Sequence, residues 1–234
     1  MLLQNRIMLG LILIAMMSAL YLIFIMVPTD VNLGVSQRIF YIHVPLAVLS
    51  LIPPIIVFIT SILYLVRRSP QWDALAHSSV EVGLLFTTLA LVTGSIWARP
   101  TWGVWWTWDP VLTTFLILWL VYLGYLLIRS YTAEPDKRAR FSAIVGILGS
   151  INALAVYLAS ELWRTIHPDK VIGPAAEENA LDPAIQLGIL VSFIAILLLF
   201  AYTIIFRTRL HSAVNQIGSL RDQIDDLVYR ISNK

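Results

Sequence analysis

Six long apolar segments without a single Asp, Glu, Lys or Arg constrain this chain more than any other feature. They cover residues 7–27, 39–66, 82–98, 110–128, 141–160 and 184–206. A membrane span needs about 20 predominantly apolar residues. With 59% apolar and 13% charged residues, the chain is also too apolar to stay soluble as a compact domain. The sequence therefore predicts an all-α integral membrane protein, a bundle of six transmembrane helices.

The basic residues of the connections predict the orientation of this bundle. Cytoplasmic loops of membrane proteins carry an excess of Lys and Arg. With the N-terminus inside, twelve of the sixteen basic residues fall on the inner side, and only Arg38, Arg99, Arg164 and Lys170 fall outside. We therefore expect both termini in the cytoplasm. We interpret segment 7–27 as a span and not as a cleaved signal peptide, because no small-residue processing site follows it.

The end of the chain has a different pattern, which divides the sequence into a membrane domain, 1–206, and a cytoplasmic amphipathic helix, 207–234. Apolar residues recur there at alternating spacings of three and four, namely Leu210, Ala213, Ile217, Leu220, Ile224, Leu227 and Ile231. This pattern suits a coiled coil of about three heptads. A helix lying on the inner membrane surface explains it equally well.

The predicted outer connection between spans three and four, 97–110, is unusually rich in tryptophan. It reads W-A-R-P-T-W-G-V-W-W-T-W-D-P and holds five of the eight tryptophans. If the segment were helical, one stripe would contain Trp102, Trp105, Trp106 and Asp109. An aromatic belt is the alternative, but a belt distributes indoles over both interfaces, and the predicted inner interface has only Trp72. The pattern therefore favours an amphipathic aromatic platform.

The topology sorts the four histidines into two pairs. His77 and His211 fall in inner loops, and the polarity of loop 67–80 around His77 is typical of simple membrane anchoring. His43, at the head of span two, and His167, after span five, fall on the outer side with the tryptophans. Two neutral imidazoles that face each other can ligate one metal ion axially, and haem iron commonly takes histidine.

The absence of cysteine narrows the choice of metal. It excludes disulfides, iron–sulfur clusters and covalent attachment of haem to this chain. A tetrahedral zinc site on the outer side would need carboxylates such as Glu161 or Asp109, so it is the less economical alternative. Asp109 also has a structural explanation, since Asp followed by Pro is typical of a helix N-cap. Arg38, Arg99 and Arg164 suit either lipid anchoring or pairing with carboxylates such as haem propionates.

The tryptophan run W-G-x-W-W-x-W-D resembles the signature of the haem exporter protein C family of cytochrome c maturation. The resemblance extends to R-I-F-Y-I-H-V-P around His43 and to E-L-W-R-T-I-H around His167, and it covers most of the membrane region. It implies that these two histidines are the axial ligands of a non-covalent, b-type haem. The residues expected around the porphyrin are Trp102, Trp105, Trp106, Trp108, Asp109, Arg99 and Arg164. The chain departs from the family at Val111, where Arg is usual, so Arg99 or Arg164 would have to replace any contact made by that Arg.

The resemblance also implies a function and partners. It suggests a non-enzymatic protein of the bacterial inner membrane that delivers haem from its outer face to a periplasmic-side, CcmE-like haem chaperone. A small single-span, CcmD-like subunit, CcmA- and CcmB-like ABC transporter subunits and membrane lipid would be further partners, with no role for nucleic acid. A haem permease that works through the bundle is the alternative. Coupled carriers usually keep ionisable residues within their spans, and the six segments have none.

Overall fold

The computed structural model describes residues 2–31, 33–168 and 182–232, and every long regular element in these ranges is a helix. The elements are α1 (Leu2–Tyr21) with a π-helical turn (Leu22–Met26), α2 (Gln37–Leu49), α3 (Ile52–Arg67), α4 (Pro70–Trp102), α5 (Pro110–Tyr131), α6 (Pro135–Leu162) and α7 (Pro183–Ser232). They supply six segments long and apolar enough to cross a membrane, with α2 and α3 forming one of them. The predicted six-helix membrane bundle is therefore confirmed.

The second span is divided into two helices by its prolines. Pro53 and Pro54 stand in the first turn of α3, where they remove two backbone donors. Pro54 would otherwise have bonded the carbonyl of Ser50, and the hydroxyl of Tyr122 donates to that carbonyl instead, at 3.3 Å. Pro45 lies inside α2 without interrupting it. The neighbouring helix thus satisfies the carbonyl that the prolines leave free, as a membrane interior requires.

The helices extend further than the apolar segments from which they were predicted. The predicted inner loop at 67–80 is wrong, because α4 begins at Pro70, a favoured first helical residue. Trp72 and His77 consequently lie on a helix, and His211 does as well. The gap between the apolar segments 110–128 and 141–160 shrinks in the same way to residues 132–134, between α5 and α6.

Helix α4 is the centre of the bundle and packs against α2, α3, α5, α6 and α7. Small residues allow close packing between other helices of the bundle. A Cβ added at Gly146 of α6 would lie 2.7 Å from Cγ1 of Val57 in α3, and one added at Gly149 would collide with Val121 of α5. These glycines therefore allow α6 to approach α3 and α5 closely. Apolar side chains cover much of the outer surface, as contact with lipid requires.

Helix α7 continues without interruption from the membrane segment into the C-terminal region. Its residues from Ala213 to Ser232 are exposed, including the apolar heptad positions. In the part of the chain that the structure describes, no other element packs on this stripe. The coiled-coil and membrane-surface interpretations both stay predictions. Lys170, which was counted on the outer side, lies outside the described residues.

Candidate functional site

The connection between α4 and α5 and the segment that follows α6 meet at one end of the bundle, close to α2. Side-chain contacts join them. Asp109, before α5, accepts hydrogen bonds from Thr165 at 2.7 and 2.8 Å, and the His43 ring in α2 lies 6.0 Å from that of Trp97 in α4. The structure therefore brings the tryptophan-rich segment, His43 and His167 to the same end.

Residues 102–109 do not form the helix that would place Trp102, Trp105, Trp106 and Asp109 on one stripe. Helix α4 ends at Trp102, because Gly103 takes a left-handed conformation with φ of 79°, a usual way to terminate a helix. Residues 103–109 are irregular. They fold back along α4, where the hydroxyl of Ser95 donates to the carbonyl of Trp105 at 2.7 Å. Arg99 donates to the carbonyl of Gly103, so it caps the helix end.

The irregular segment presents indole rings to the surroundings. Trp105 is 57% exposed and Trp108 is 76% exposed, while Trp102 and Trp106 are half-buried. The rings of Trp106 and Trp108 meet edge to face, with centroids 5.9 Å apart. Trp163, at the end of α6, adds a further indole that is 52% exposed. A concentrated apolar surface of this kind marks a binding region for a flat ligand, a partner or lipid.

His43 is held by α4 in one tautomer. Its Nδ1 lies 3.1 Å from Oγ1 of Thr93, and that hydroxyl donates its own proton to the carbonyl of Leu89 at 2.7 Å. Oγ1 therefore accepts from Nδ1–H, and the lone pair of the neutral ring stays on Nε2. Gly94 makes room for the ring, since an added Cβ would lie 2.8 Å from Cε1 of His43.

His167 has the same tautomer for a different reason. Its Nδ1 lies 3.0 Å from the carbonyl of Pro168, which can only accept, so Nδ1 carries the proton and Nε2 the lone pair. Its ring meets that of Trp102 with centroids 6.4 Å apart and an interplanar angle of 64°. Burial lowers the pKa of His167, and the Pro168 carbonyl and the Asp109 carboxylate oppose this only in part. The imidazole is therefore neutral at pH 7.

Asp109 holds the segment that carries His167. It is the N-cap of α5, as predicted, and accepts from the backbone of Val111 at 2.9 Å. It also accepts from the Thr165 hydroxyl and from the backbone of Ile166 at 2.9 Å, and that hydroxyl oxygen accepts from the backbone of His167. Burial raises the pKa of Asp109, but these hydrogen bonds outweigh it and keep the pKa below its ordinary value. Asp109 is only 8% exposed, and these structural hydrogen bonds use both oxygens of its carboxylate.

The arginines near this end differ in their surroundings. Arg38 donates to backbone carbonyls at the end of the π-helical turn, those of Ile23 and Val27, the second at 2.8 Å. It thus has a structural role in closing that helix. Arg99 keeps an exposed side chain beside its cap, and Arg164 is exposed. These two are the guanidinium groups that an anionic ligand at this end could contact.

Three buried polar atoms in this region have no hydrogen-bond partner among the described residues. They are Nε1 of Trp97 and Oγ1 of Thr107 and Thr113. Trp97 is notable because its ring contacts His43 and is itself buried. Trp97 begins the predicted tryptophan-rich segment but is not among the predicted site residues.

Fold and site together define a class, that of a six-span helical membrane protein with two neutral imidazoles and an exposed indole surface at one end of its bundle. Residues 3–222 match the family model of haem exporter protein C, CcmC. The chain therefore belongs to the haem exporter protein C family, which confirms the resemblance seen in its sequence.

Individual relatives agree with this assignment. The chain is 30% identical over 201 residues to the haem exporter protein C of Rhodobacter capsulatus, covering 86% of this chain and 83% of the relative. It is 31% identical over 194 residues to that of Paracoccus denitrificans, covering 82% and 80%. The protein of the same name from Escherichia coli K12 is 32% identical over 184 residues, covering 78% and 73%. Each match spans most of the membrane bundle.

Proposed function

We propose that this chain handles haem in the maturation of c-type cytochromes, binding it at the outer membrane face between His43 and His167. The haem is cargo, held non-covalently, and is passed on to a periplasmic-side haem chaperone. The names of the relatives support the haem-handling role, and the geometry of the two histidines supports the binding mode.

The hydrogen bonds of the two histidine rings are the observation that carries this proposal. Both rings are fixed with Nδ1 as donor, and both therefore offer an Nε2 lone pair, the form in which a neutral imidazole ligates iron. Both lie at the end of the bundle that carries the tryptophan-rich segment, since His43 contacts Trp97 and His167 contacts Trp102. The two residues come from α2 and from the segment after α6, so two separate elements supply the ligands.

The other residues orient the haem and hold its edges. Indole rings supply large, flat apolar contact at low conformational cost, which suits Trp102, Trp105, Trp106 and Trp108 to contact with the porphyrin. Arg99 and Arg164 can pair with its propionates, because guanidinium groups bind carboxylates in a bidentate manner. Asp109 acts indirectly, because it positions the segment that carries His167.

This proposal favours surface binding over passage through the bundle. One small cavity between α3, α4, α5 and α6, next to Tyr122 and Gly146, has a volume of about 10 Å³, too little for a porphyrin. The exposed indoles lie at the bundle end, where a periplasmic-side chaperone can reach them. An ABC transporter pair and a small single-span subunit are the further partners that we expect in the membrane.

The direct test of the site is an absorption spectrum of purified protein. We expect the wild type to bind haem in a six-coordinate, low-spin state. The variant His43→Gly/His167→Gly should lose this spectrum while it still inserts into the membrane, and added imidazole should restore it by ligating iron from the two emptied positions. An undiminished Soret band in the double variant without imidazole would eliminate the axial-ligand assignment.

The tryptophan surface needs a second experiment. We expect Trp105→Ala/Trp106→Ala to weaken haem retention and transfer to the chaperone far more than Trp72→Ala does. Trp72 is a suitable control because it is a half-buried indole of α4 at the opposite end of the bundle. Equal losses in the transfer assay would instead indicate a general aromatic belt.

A further inference from the structure

A second cluster of metal-ligating side chains lies at the end of the bundle opposite to the histidine and tryptophan site. Helix α4 contributes His77 and Glu81, and helix α7 contributes Arg207 and His211. Residues four positions apart lie on the same face of a helix, so each helix presents a pair to the other. The four side chains meet where α7 leaves the membrane bundle.

The three possible ligands of this cluster are already close together. Nε2 of His211 lies 2.8 Å from Oε2 of Glu81, and Nε2 of His77 lies 3.6 Å from Oε1 of the same carboxylate. The two imidazole rings have centroids 4.0 Å apart. One ligand atom from each residue can be chosen so that all three lie within 4.8 Å of one another.

These distances suit a single ion. Zinc binds imidazole nitrogen and carboxylate oxygen at about 2.0–2.2 Å in tetrahedral geometry, which separates neighbouring ligand atoms by about 3.3 Å. The separations of 2.8 and 3.6 Å run to different oxygens of Glu81, and a choice of one ligand atom per residue keeps all three atoms within 4.8 Å. The side chains are only 19–23% exposed, so they are largely withdrawn from water. Small rotations of the side chains would complete the geometry.

We propose that His77, Glu81 and His211 form a binding site for one divalent transition-metal ion of the Zn²⁺ type. Two imidazole nitrogens and one carboxylate oxygen are a ligand set that such ions take, with the fourth position open to water. The site lies on different residues from the proposed haem site and does not depend on it. The ion would join α4 to the base of the exposed C-terminal part of α7.

Arg207 binds the carboxylate of Glu81 and orients it. Its Nε and Nη2 donate to Oε2 and Oε1 of Glu81 at 2.8 and 2.5 Å. Hydrogen bonds of this kind commonly orient a ligating carboxylate. In the absence of an ion, the same guanidinium neutralises Glu81, and its 34% exposure leaves it room to move when a metal binds. Without a metal ion, the charge of Glu81 is therefore paired with Arg207. With a metal ion, His77, Glu81 and His211 can act as its ligands.

The test is a Co²⁺ titration of the purified, haem-free full chain, carrying an affinity tag without histidine and stripped with a chelator. Co²⁺ reports tetrahedral coordination by its d–d absorption, and we expect one equivalent that Zn²⁺ displaces. Loss of an outer partner alone costs about 10- to 100-fold in metal affinity. We therefore expect His77→Ala and His211→Ala to weaken binding by at least about 100-fold.

Two further measurements guard against misfolded variants and unrelated sites. The variant His43→Gly/His167→Gly should keep full Co²⁺ binding, because it removes only the histidines of the opposite end. X-ray absorption on the metal-loaded wild type should show nitrogen ligands with imidazole scattering, and this readout needs no variant. Absence of saturable binding in the wild type, ligation by oxygen alone, or wild-type affinity in the two alanine variants would overturn the proposal.

Discussion

Replacement of Asp109 by Asn tests whether this residue positions His167 for haem. The carboxylate accepts from Val111 through Oδ1 and from Ile166 through Oδ2. Asn has only one accepting oxygen, so one of these two backbone N–H groups must face an amide donor. Because Asn is as good an N-cap as Asp, we expect α5 to keep its cap and the segment before His167 to lose its anchor.

The expected magnitude follows from the single contact that Asn cannot make. A hydrogen bond to a charged group contributes about 1.5–3 kcal/mol. Because Asp109 is buried, solvent screens this bond little and the full range is used. With 1.4 kcal/mol per factor of ten, the equilibrium that keeps His167 in place shifts by about 10- to 100-fold. Haem affinity should fall by the same factor, and part of the bound haem should become five-coordinate.

The assay is a haem titration of the purified variant, followed by Soret absorption and by the fraction of low-spin iron. Thr165 provides a matched pair, since Thr165→Ser keeps the hydroxyl that contacts Asp109 and Thr165→Val removes it. We expect the Ser variant to resemble the wild type and the Val variant to resemble Asp109→Asn. Unchanged affinity in both Asp109→Asn and Thr165→Val would refute the reasoning.

The pH dependence of the same contact has a defined sign. The pKa of Asp109 in the folded protein lies below its ordinary value, so the contribution of this carboxylate to stability is present above that ordinary value, 3.8, and is lost as pH falls through the lower folded-state pKa. The difference in unfolding free energy between wild type and Asp109→Asn should therefore stay constant from about pH 5 to 8. Its collapse within this range would show that the carboxylate titrates in the folded protein.

Two further predictions concern the placement of His43 and the side of the membrane. An added methyl group in Gly94→Ala would lie 2.8 Å from Cε1 of His43, so we expect it to shift the ring and weaken low-spin ligation, whereas Gly124→Ala, with open space around it, should bind haem normally. The chain has no cysteine, so a single introduced cysteine can be labelled selectively. We expect Val104→Cys to react with an impermeant maleimide added from the periplasmic side, and Gly218→Cys not to react. The opposite pattern would contradict the predicted orientation.

The spans and the shared end of His43 and His167 could be predicted because their signals are local. Hydropathy over about 20 residues marks a span, and an even number of spans between His43 and His167 returns the chain to the same side. The break before α3 also had a local cause in Pro53 and Pro54. These features depend on residues that are neighbours in sequence.

Helix ends were predicted less well, although the signals were present. Pro70 is a favoured first helical residue and Gly103 a favoured helix terminator, and both act as such in the structure. The apolar pattern alone placed the start of the helix at Val82, because Asp73, His77 and Glu81 interrupt it. Polar residues at the end of a long transmembrane helix therefore concealed its first three turns.

The contacts between distant residues could not have been predicted from the sequence. Asp109 and Ile166 are 57 positions apart, and Glu81 and His211 are 130 apart. Whether such residues meet depends on the rotation of each helix about its axis and on the depth at which it packs. One turn of difference moves a side chain by about 5.4 Å, more than a hydrogen bond tolerates. No pattern in the sequence resolves that difference.

Helix α4 connects the two proposed sites and also separates them. It carries Trp97 beside His43 at one end, and Glu81 of the metal cluster near the other. Sixteen residues of helix at 1.5 Å each place these two positions about 24 Å apart. At that distance a bound ion contributes little to the electrostatics of the histidine pair, so any coupling would have to pass through movement of α4 itself. The packing of α4 against five other helices opposes such a movement, and the two proposals therefore succeed or fail separately.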